Sequence, residues 1–144
     1  PVIHAVLGPQ DRFFSADSLE DLATQPFHLT NSYDRMGVRL RGPSLTPEGA
    51  LSIPSEPILR GSVQVAGDGL ATVMLADHGT TGGYPKIATV LDCDLDAAAQ
   101  LRPHDAIGFT ALTPAEAVAR ARLYAASTAS YLAALAAAVT PLSP

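Results

Sequence analysis

The sequence predicts a mainly β fold with short helices and one long C-terminal α-helix. Three observations carry this. Short runs rich in valine, isoleucine and leucine recur between glycine- and proline-bearing breaks. Gly61-Ser-Val-Gln-Val-Ala66 and Leu70-Ala-Thr-Val-Met-Leu75 flank Gly67-Asp68-Gly69, residue types that tolerate positive φ and so close a hairpin. Thr113-Pro114-Ala115-Glu116 opens a stretch free of breakers, with threonine as cap, proline in the first helical position and glutamate able to reach back to the cap.

Taken in order, Val2 to Leu7 is a β-branched apolar run stopped by Gly8-Pro9, which predicts a strand and a turn. Ser15 to Ala23 supplies a cap, acids in the first turn and apolar residues at helical spacing, so a short helix is expected, ended by Pro26. Phe27 to Thr30 alternates briefly, and Asn31 to Asp34 is turn chemistry. In the run from Met36 to Gly42, Met36, Val38 and Leu40 share one side and Arg39 and Arg41 the other, the pattern of a half-buried strand. Four prolines between Pro43 and Pro57 predict a long irregular loop. Beyond the hairpin come a strand over Ile87 to Leu91, a helical turn over Leu95 to Leu101 begun by Asp94 or Asp96, and a strand over Ala106 to Thr110. On the final helix Val118, Ala121, Ala125, Leu132 and Leu135 approximate one face, suited to packing on the barrel or on a partner.

At 144 residues the chain is long enough for one domain with a real core. Hydrophobic residues make up 47% and charged residues 16%, a balance that points to surface covered by a partner or to an alanine-rich soluble monomer. Net charge is -5 and no basic cluster occurs, which sets aside nucleic acid and anionic membranes as partners. The uncharged span from Leu123 to Val139 is mostly alanine and falls short of the roughly 20 strongly apolar residues of a membrane span. The single cysteine, Cys93, excludes an internal disulfide and points to a cytoplasmic chain. The histidines lack metal-site spacing, so no metal is expected. The N-terminus is not a signal peptide, and the missing initiator methionine points to processing or to a piece of something longer.

Chemistry is densest in the loop from Asp77 to Lys86. Gly82 and Gly83 with Thr80 and Thr81 can present N–H groups and hydroxyls to an anion that Lys86, the sole lysine, neutralises. The same residues equally suit a tight turn with a solvated lysine. P-loop spacing is absent, and Tyr84-Pro85 is a candidate cis bond. Arg35 is placed either to clamp a carboxylate or to form a surface ion pair. Gln64 lies opposite Val63 and Val65 on its strand, lining a cleft or facing water. Cys93 is expected to be a small buried residue and no nucleophile.

Asp34-Arg-Met-Gly-Val-Arg-Leu-Arg-Gly-Pro43, Pro54-Ser-Glu56, Gly61-Ser-Val-Gln-Val65, Leu75-Ala-Asp77 and Thr80-Thr-Gly-Gly-Tyr-Pro-Lys-Ile-Ala-Thr-Val90 together change these odds. In this order and spacing they resemble the allophanate hydrolase subunit 2 family, whose bacterial members are described as the C-type subunit of ATP-dependent 5-oxoprolinase. Related sequences form part of the carboxyltransferase region of urea carboxylase. The resemblance runs from Val2 to Thr110, the C-terminal half of a family chain about twice this length. It implies a cyclophilin-like β-barrel over residues 1–112, followed by a helical extension over 113–144, and a companion N-terminal barrel half absent from this sequence.

What the resemblance implies is a half-subunit of a complex that cleaves 5-oxo-L-proline to glutamate, or hydrolyses allophanate, with other 5-oxoprolinase-type subunits. ATP is used by the complex, and no cofactor is expected on this chain. Asp77, Tyr84 and Lys86 are then the expected catalytic residues. Arg35, Gln64, Thr80, Thr81, Gly82 and Gly83 are the expected contacts to a small carboxylate or carbamoyl substrate. Two alternatives stand beside this: a non-catalytic assembly or kinase-regulating module, and a carboxyltransferase component acting on urea-type substrates. The sequence departs from the family at Tyr33, Arg60, Ala66, Leu70, Ala71 and Gly79, which affects the polar lining and hence the substrate.

Overall fold

The computed structural model describes residues 1–138. Its first strand, β1 (Val2–Leu7), leads through a 3-10 turn to α1 (Ala16–Thr24), where the Ser15 hydroxyl accepts from the Ser18 N–H at 3.1 Å. Next come β2 (Phe27–Tyr33), β3 (Gly37–Arg41), β4 (Glu56–Pro57), β5 (Ser62–Val65) and β6 (Ala71–Met74). They are followed by β7 (Thr81–Gly82), β8 (Lys86–Val90), α2 (Asp92–Ala98), β9 (Ala106–Leu112) and α3 (Pro114–Ala138).

Seven of the strands close into a barrel in the order β1-β8-β5-β6-β3-β2-β9, the mainly β barrel that the resemblance implied. Closure is made by β1 lying parallel to β9, in register from Val2 with Gly108 to Val6 with Leu112, while the other barrel pairs are antiparallel. A closed sheet has no open edge to recruit another chain. Alternation sends Ile3, Ala5, Leu29, Val38, Leu40, Val63, Val65 and Val73 inward. Phe27 and Phe109 meet edge to face with ring centroids 5.6 Å apart, and Leu22 of α1 joins this core. The small ladder β4–β7 stands apart from the barrel sheet.

The predicted hairpin forms, with Val65 opposite Ala71 and Gly69 at φ +74. Other elements differ in extent. Asn31 to Tyr33 belong to β2, because the Tyr33 hydroxyl donates to the Ala99 carbonyl at 2.6 Å and holds the strand against the segment after α2. The turn is therefore shorter, and the Asp34 carboxylate closes it by accepting from the N–H groups of Met36 and Gly37 at 2.7 and 3.1 Å. Met36 consequently sits in the turn, 54% exposed, and does not join Val38 and Leu40 inside. α2 begins earlier than expected, placing Asp92 and Asp94 in its first turn, where the helix dipole favours acids. The 43–57 loop is irregular but anchored: Leu45 is fully buried, and the N–H groups of Leu45, Glu48 and Ile53 donate to the carbonyls of Gly69, Phe13 and Gly83.

α3 starts as predicted. Glu116 accepts from the Thr113 N–H at 2.8 Å and from its hydroxyl at 2.7 Å, and the Thr113 hydroxyl accepts from the Glu116 N–H at 3.3 Å. None of the helix is buried, and the face carrying Val118, Leu132 and Leu135 is exposed. The helix does not lie along the barrel; an ion pair from Arg120 to Asp94 at 3.2 Å ties its root to α2. No helix among the described residues is long and apolar enough to cross a membrane. The last part of the expected extension, 139–144, lies outside the described residues.

Candidate functional site

The expected site residues fall into two groups. Arg35 and Asp77 pair with each other: Nε donates to one carboxylate oxygen at 2.5 Å and an Nη to the other at 3.0 Å. The Asp77 N–H also donates to the Arg35 carbonyl at 2.8 Å, so the turn after β2 and the end of β6 are locked together. Both side chains are largely exposed, at 80% and 49%. Their hydrogen bond is the main cause that raises the Arg35 pKa and lowers that of Asp77. Asp77 does not pair with its neighbour His78, whose ring nitrogen meets the Gly79 carbonyl at 2.7 Å.

Lys86 belongs to the second group and is buried, its side chain only 3% exposed. The register between β5 and β8 shifts between Val63–Ala88 and Gln64–Lys86, and this irregularity sets Gln64 directly across from Lys86. Gln10 grips the other side of Lys86, its carbonyl oxygen Oε1 accepting from the Lys86 N–H at 3.0 Å while its own N–H donates to the Lys86 carbonyl at 3.0 Å. The Lys86 ammonium is ion-paired to Glu56, whose carboxylate also accepts from Gln10 Nε2 at 2.5 Å. Hydrogen bonds from Lys86 and then Gln10 hold the Glu56 carboxyl below the usual glutamate value, so Glu56 is a carboxylate at neutral pH.

The loop from Thr80 to Tyr84 builds the rim of this group. β7 pairs with β4, Glu56 opposite Gly82 and Pro57 opposite Thr81, which delivers Glu56 to Lys86. The carbonyls of Thr80 and Gly83 accept from the N–H groups of Ile58 and Ile53 at 3.1 and 2.8 Å. Thr80 and Thr81 are exposed. A Cβ at Gly82 would lie 2.6 Å from Gln64 Nε2, so only glycine lets the loop come this close to the amide. Gln64 Nε2 lies 3.4 Å from the Tyr84 carbonyl, and Tyr84 itself is 47% exposed. Tyr84–Pro85 is trans; the cis bond among the described residues is Gly8–Pro9.

Gln64 and Tyr84 line a cleft of about 390 Å³ together with Arg39, Asp68 and Thr72. A larger cavity of about 490 Å³ lies where α3 leaves the barrel, lined by His4, Cys93, Asp94 and Arg120. Its polar groups are already spent on one another: the Asp94 carboxylate takes the His4 N–H at 2.8 Å, the His4 ring at 2.7 Å and Arg120 at 3.2 Å. Burial pushes the Cys93 thiol up, away from nucleophilic thiolate. The cleft beside Gln64 is the better chemical site because amide, hydroxyl and guanidinium groups of Gln64, Thr72, Tyr84 and Arg39 line it, with the buried Lys86 on the strand next to Gln64.

Sequence reasoning singled out Lys86, Gln64 and Tyr84 but missed Gln10, Glu56 and Arg39 as members of this site. Glu56 had a signal, being an acid in the proline-rich loop within one of the resemblance blocks. Gln10 had none. Arg60, a departure from the family, donates to Asp92 at 2.7 Å and Asp96 at 2.5 Å and ties the β4–β5 connection to α2. No group of three or more His, Cys, Asp or Glu among the described residues is arranged to hold a metal.

Comparison with known proteins agrees with this architecture. The chain is 46% identical over 89 residues to the C-type subunit of 5-oxoprolinase from Haemophilus influenzae, covering 62% of this chain and 29% of that protein. It is 34% identical over 116 residues to the C-type subunit of 5-oxoprolinase from Escherichia coli, covering 81% of this chain and 37% of that protein. The chain thus matches about a third of the length of these curated relatives. In fold it is similar to urea carboxylase of Kluyveromyces lactis, with a TM-score of 0.74 at 23% identity over 81% of this chain and 11% of that one. Residues 1–111 match the family described as carboxyltransferase domain, subdomain A and B, and α3 lies beyond the match. By that match over most of its length, the chain belongs to the carboxyltransferase domain family, subdomain A and B.

Proposed function

We propose that this chain supplies one barrel of a cytoplasmic, ATP-dependent complex that opens the amide of 5-oxo-L-proline to give glutamate. The observation that carries the proposal is the buried Lys86 ammonium, ion-paired to a Glu56 carboxylate that Gln10 also binds, on the strand next to Gln64. Cleaving an amide develops negative charge on its oxygen, and a fixed cation in a partly dry cleft stabilises that charge without reorganising. In this reading Lys86 faces the developing oxyanion, Gln64 orients the ring amide, and Tyr84 with the loop from Thr80 to Gly83 forms the rim. Arg35 and Asp77, satisfied by each other, brace the neighbouring turn. ATP is consumed on a separate subunit, and a companion barrel completes the cleft. The names of the two curated relatives support the substrate.

The test is reconstitution with a companion barrel and the ATP-using subunit, followed by measurement of ATP-dependent glutamate release. An assembled complex inert toward 5-oxoproline that consumes urea-1-carboxylate overturns this choice of substrate. A second reading, a non-catalytic assembly module, is favoured by α3, which has no buried residue. Loss of turnover in a Lys86→Met complex that still assembles removes it.

A further inference from the structure

The cleft beside Gln64 is lined by a cation, Arg39, that no pattern in the sequence marks as special. Arg39 of β3 pairs with Thr72 of β6, Thr72 with Gln64 of β5, and Gln64 with Lys86 of β8. Four polar residues therefore stand in one row across four adjacent strands. The neighbouring row, Val38, Val73, Val63 and Ala88, is buried in the core. Strands are spaced about 4.8 Å apart, so Arg39 and Lys86 stand three strand spacings apart along the row, with Thr72 and Gln64 between them.

The state of the Arg39 guanidinium is unusual. One terminal nitrogen is ion-paired to Asp68 on the β5–β6 turn, while Nε is covered by protein and has no acceptor. Covered N–H groups are almost always paired in folded proteins. Arginine takes a carboxylate best through a two-pronged fork, and here one prong has nothing to hold. Arg60 also has an unpartnered Nε, but both of its terminal nitrogens are fixed by Asp92 and Asp96 outside the cleft. The single carboxylate on Arg39 comes from a turn residue 47% exposed, which water receives readily if it is displaced.

We propose that Arg39 is the carboxylate receptor of this cleft, and that Asp68 is its resident counter-ion, displaced when a small amide-bearing carboxylate binds. The ligand's carboxylate takes the Arg39 fork, and its amide lies toward Gln64 and Lys86. This inference rests on the amide-cleaving function proposed above and assigns that site its specificity for acids over neutral amides.

The experiment is calorimetric titration of the assembled complex, without ATP, with 5-oxo-L-proline and with 2-pyrrolidinone, the same lactam lacking the carboxylate. Arg39→Gln is expected to weaken 5-oxo-L-proline at least tenfold and leave 2-pyrrolidinone unchanged. Arg39→Lys is expected to recover only part of the loss, because lysine lacks the fork. Asp68→Asn is expected to tighten 5-oxo-L-proline. Equal weakening of both lactams by Arg39→Gln, or a loss produced by Arg35→Gln and not by Arg39→Gln, overturns the assignment. If the wild-type complex ignores 5-oxo-L-proline but binds urea-1-carboxylate, the substrate proposal fails while Arg39 is judged by the same variants on urea-1-carboxylate against urea. A wild-type complex that binds neither acid overturns both.

Discussion

Replacing Lys86 separates the structural from the functional use of a buried cation. Its side chain is 3% exposed, so truncation to alanine removes three methylenes from a packed position. At about 0.8 kcal/mol per buried methylene, Lys86→Ala costs about 2.4 kcal/mol before any cavity penalty. For a barrel of this size that lowers Tm by about 10 °C. Lys86→Met keeps the apolar volume and discards the ammonium together with its desolvation. The Glu56 partner is 39% exposed and hydrates when released, so the methionine variant stays within about 1.5 kcal/mol of the parent. Urea unfolding followed by circular dichroism measures both. If Lys86 stabilises an oxyanion, the methionine variant assembles normally yet loses on the order of 100-fold in glutamate release. The reasoning is refuted if methionine destabilises as much as alanine, or if the methionine complex turns over like the parent.

Further outcomes follow from other parts of the structure. Gly61 has φ +88, and a Cβ there would lie 2.5 Å from the Val90 carbonyl oxygen, so Gly61→Ala lowers unfolding free energy by about 2–3 kcal/mol or more, read in the same urea titration. Burial pushes the Asp94 carboxyl up, but hydrogen bonds from the His4 N–H, the His4 ring and Arg120 outweigh it and leave it below its ordinary 3.8. Its ionised form therefore favours folding fully above pH 3.8, and the contribution disappears as pH falls through the lower folded value. Asp94→Asn is accordingly about 1–2 kcal/mol less stable at pH 7 and shows a flatter acid-unfolding curve. Thr113→Ala removes the cap of α3 and weakens that helix by about 1 kcal/mol, visible as lost far-ultraviolet helicity while the barrel Tm holds, since α3 buries nothing. Glu116, held below its ordinary 4.5 by the Thr113 hydrogen bonds, gives the same helicity loss in the parent as pH falls through its lower folded value.

Local chemistry made much of the fold legible. Gly67-Asp68-Gly69 and the Thr113–Glu116 box act within a few residues of themselves, so a short window of sequence contains the whole cause. The ends of β2 and α2 depart from expectation because distant contacts decide them, as when Tyr33 reaches Ala99. The site shows the same division. Lys86 stood out as the sole lysine and Gln64 as a polar residue between valines, but their meeting depends on a register irregularity no pattern announces. Gln10 and Glu56 lie 46 residues apart and converge only because the proline-rich loop is pinned to the Thr80–Tyr84 loop. Arg35 and Asp77 were legible as charged groups, while their mutual pairing across 42 residues was not.

The way the barrel closes also governs when it can form. β1 finds its neighbours in β8 and β9, so it is synthesised before either partner, and the edge that faces β9 stays open until residue 112 has been made. During synthesis β2–β3 and β5–β6 can form as local pairs, but the parallel seam is a long-range closure, the kind of contact that slows folding. A nascent chain halted before β9 therefore exposes two open strand edges, on β1 and β2, at once. α3 emerges after the closing strand and buries none of its residues, so the seam does not wait for it.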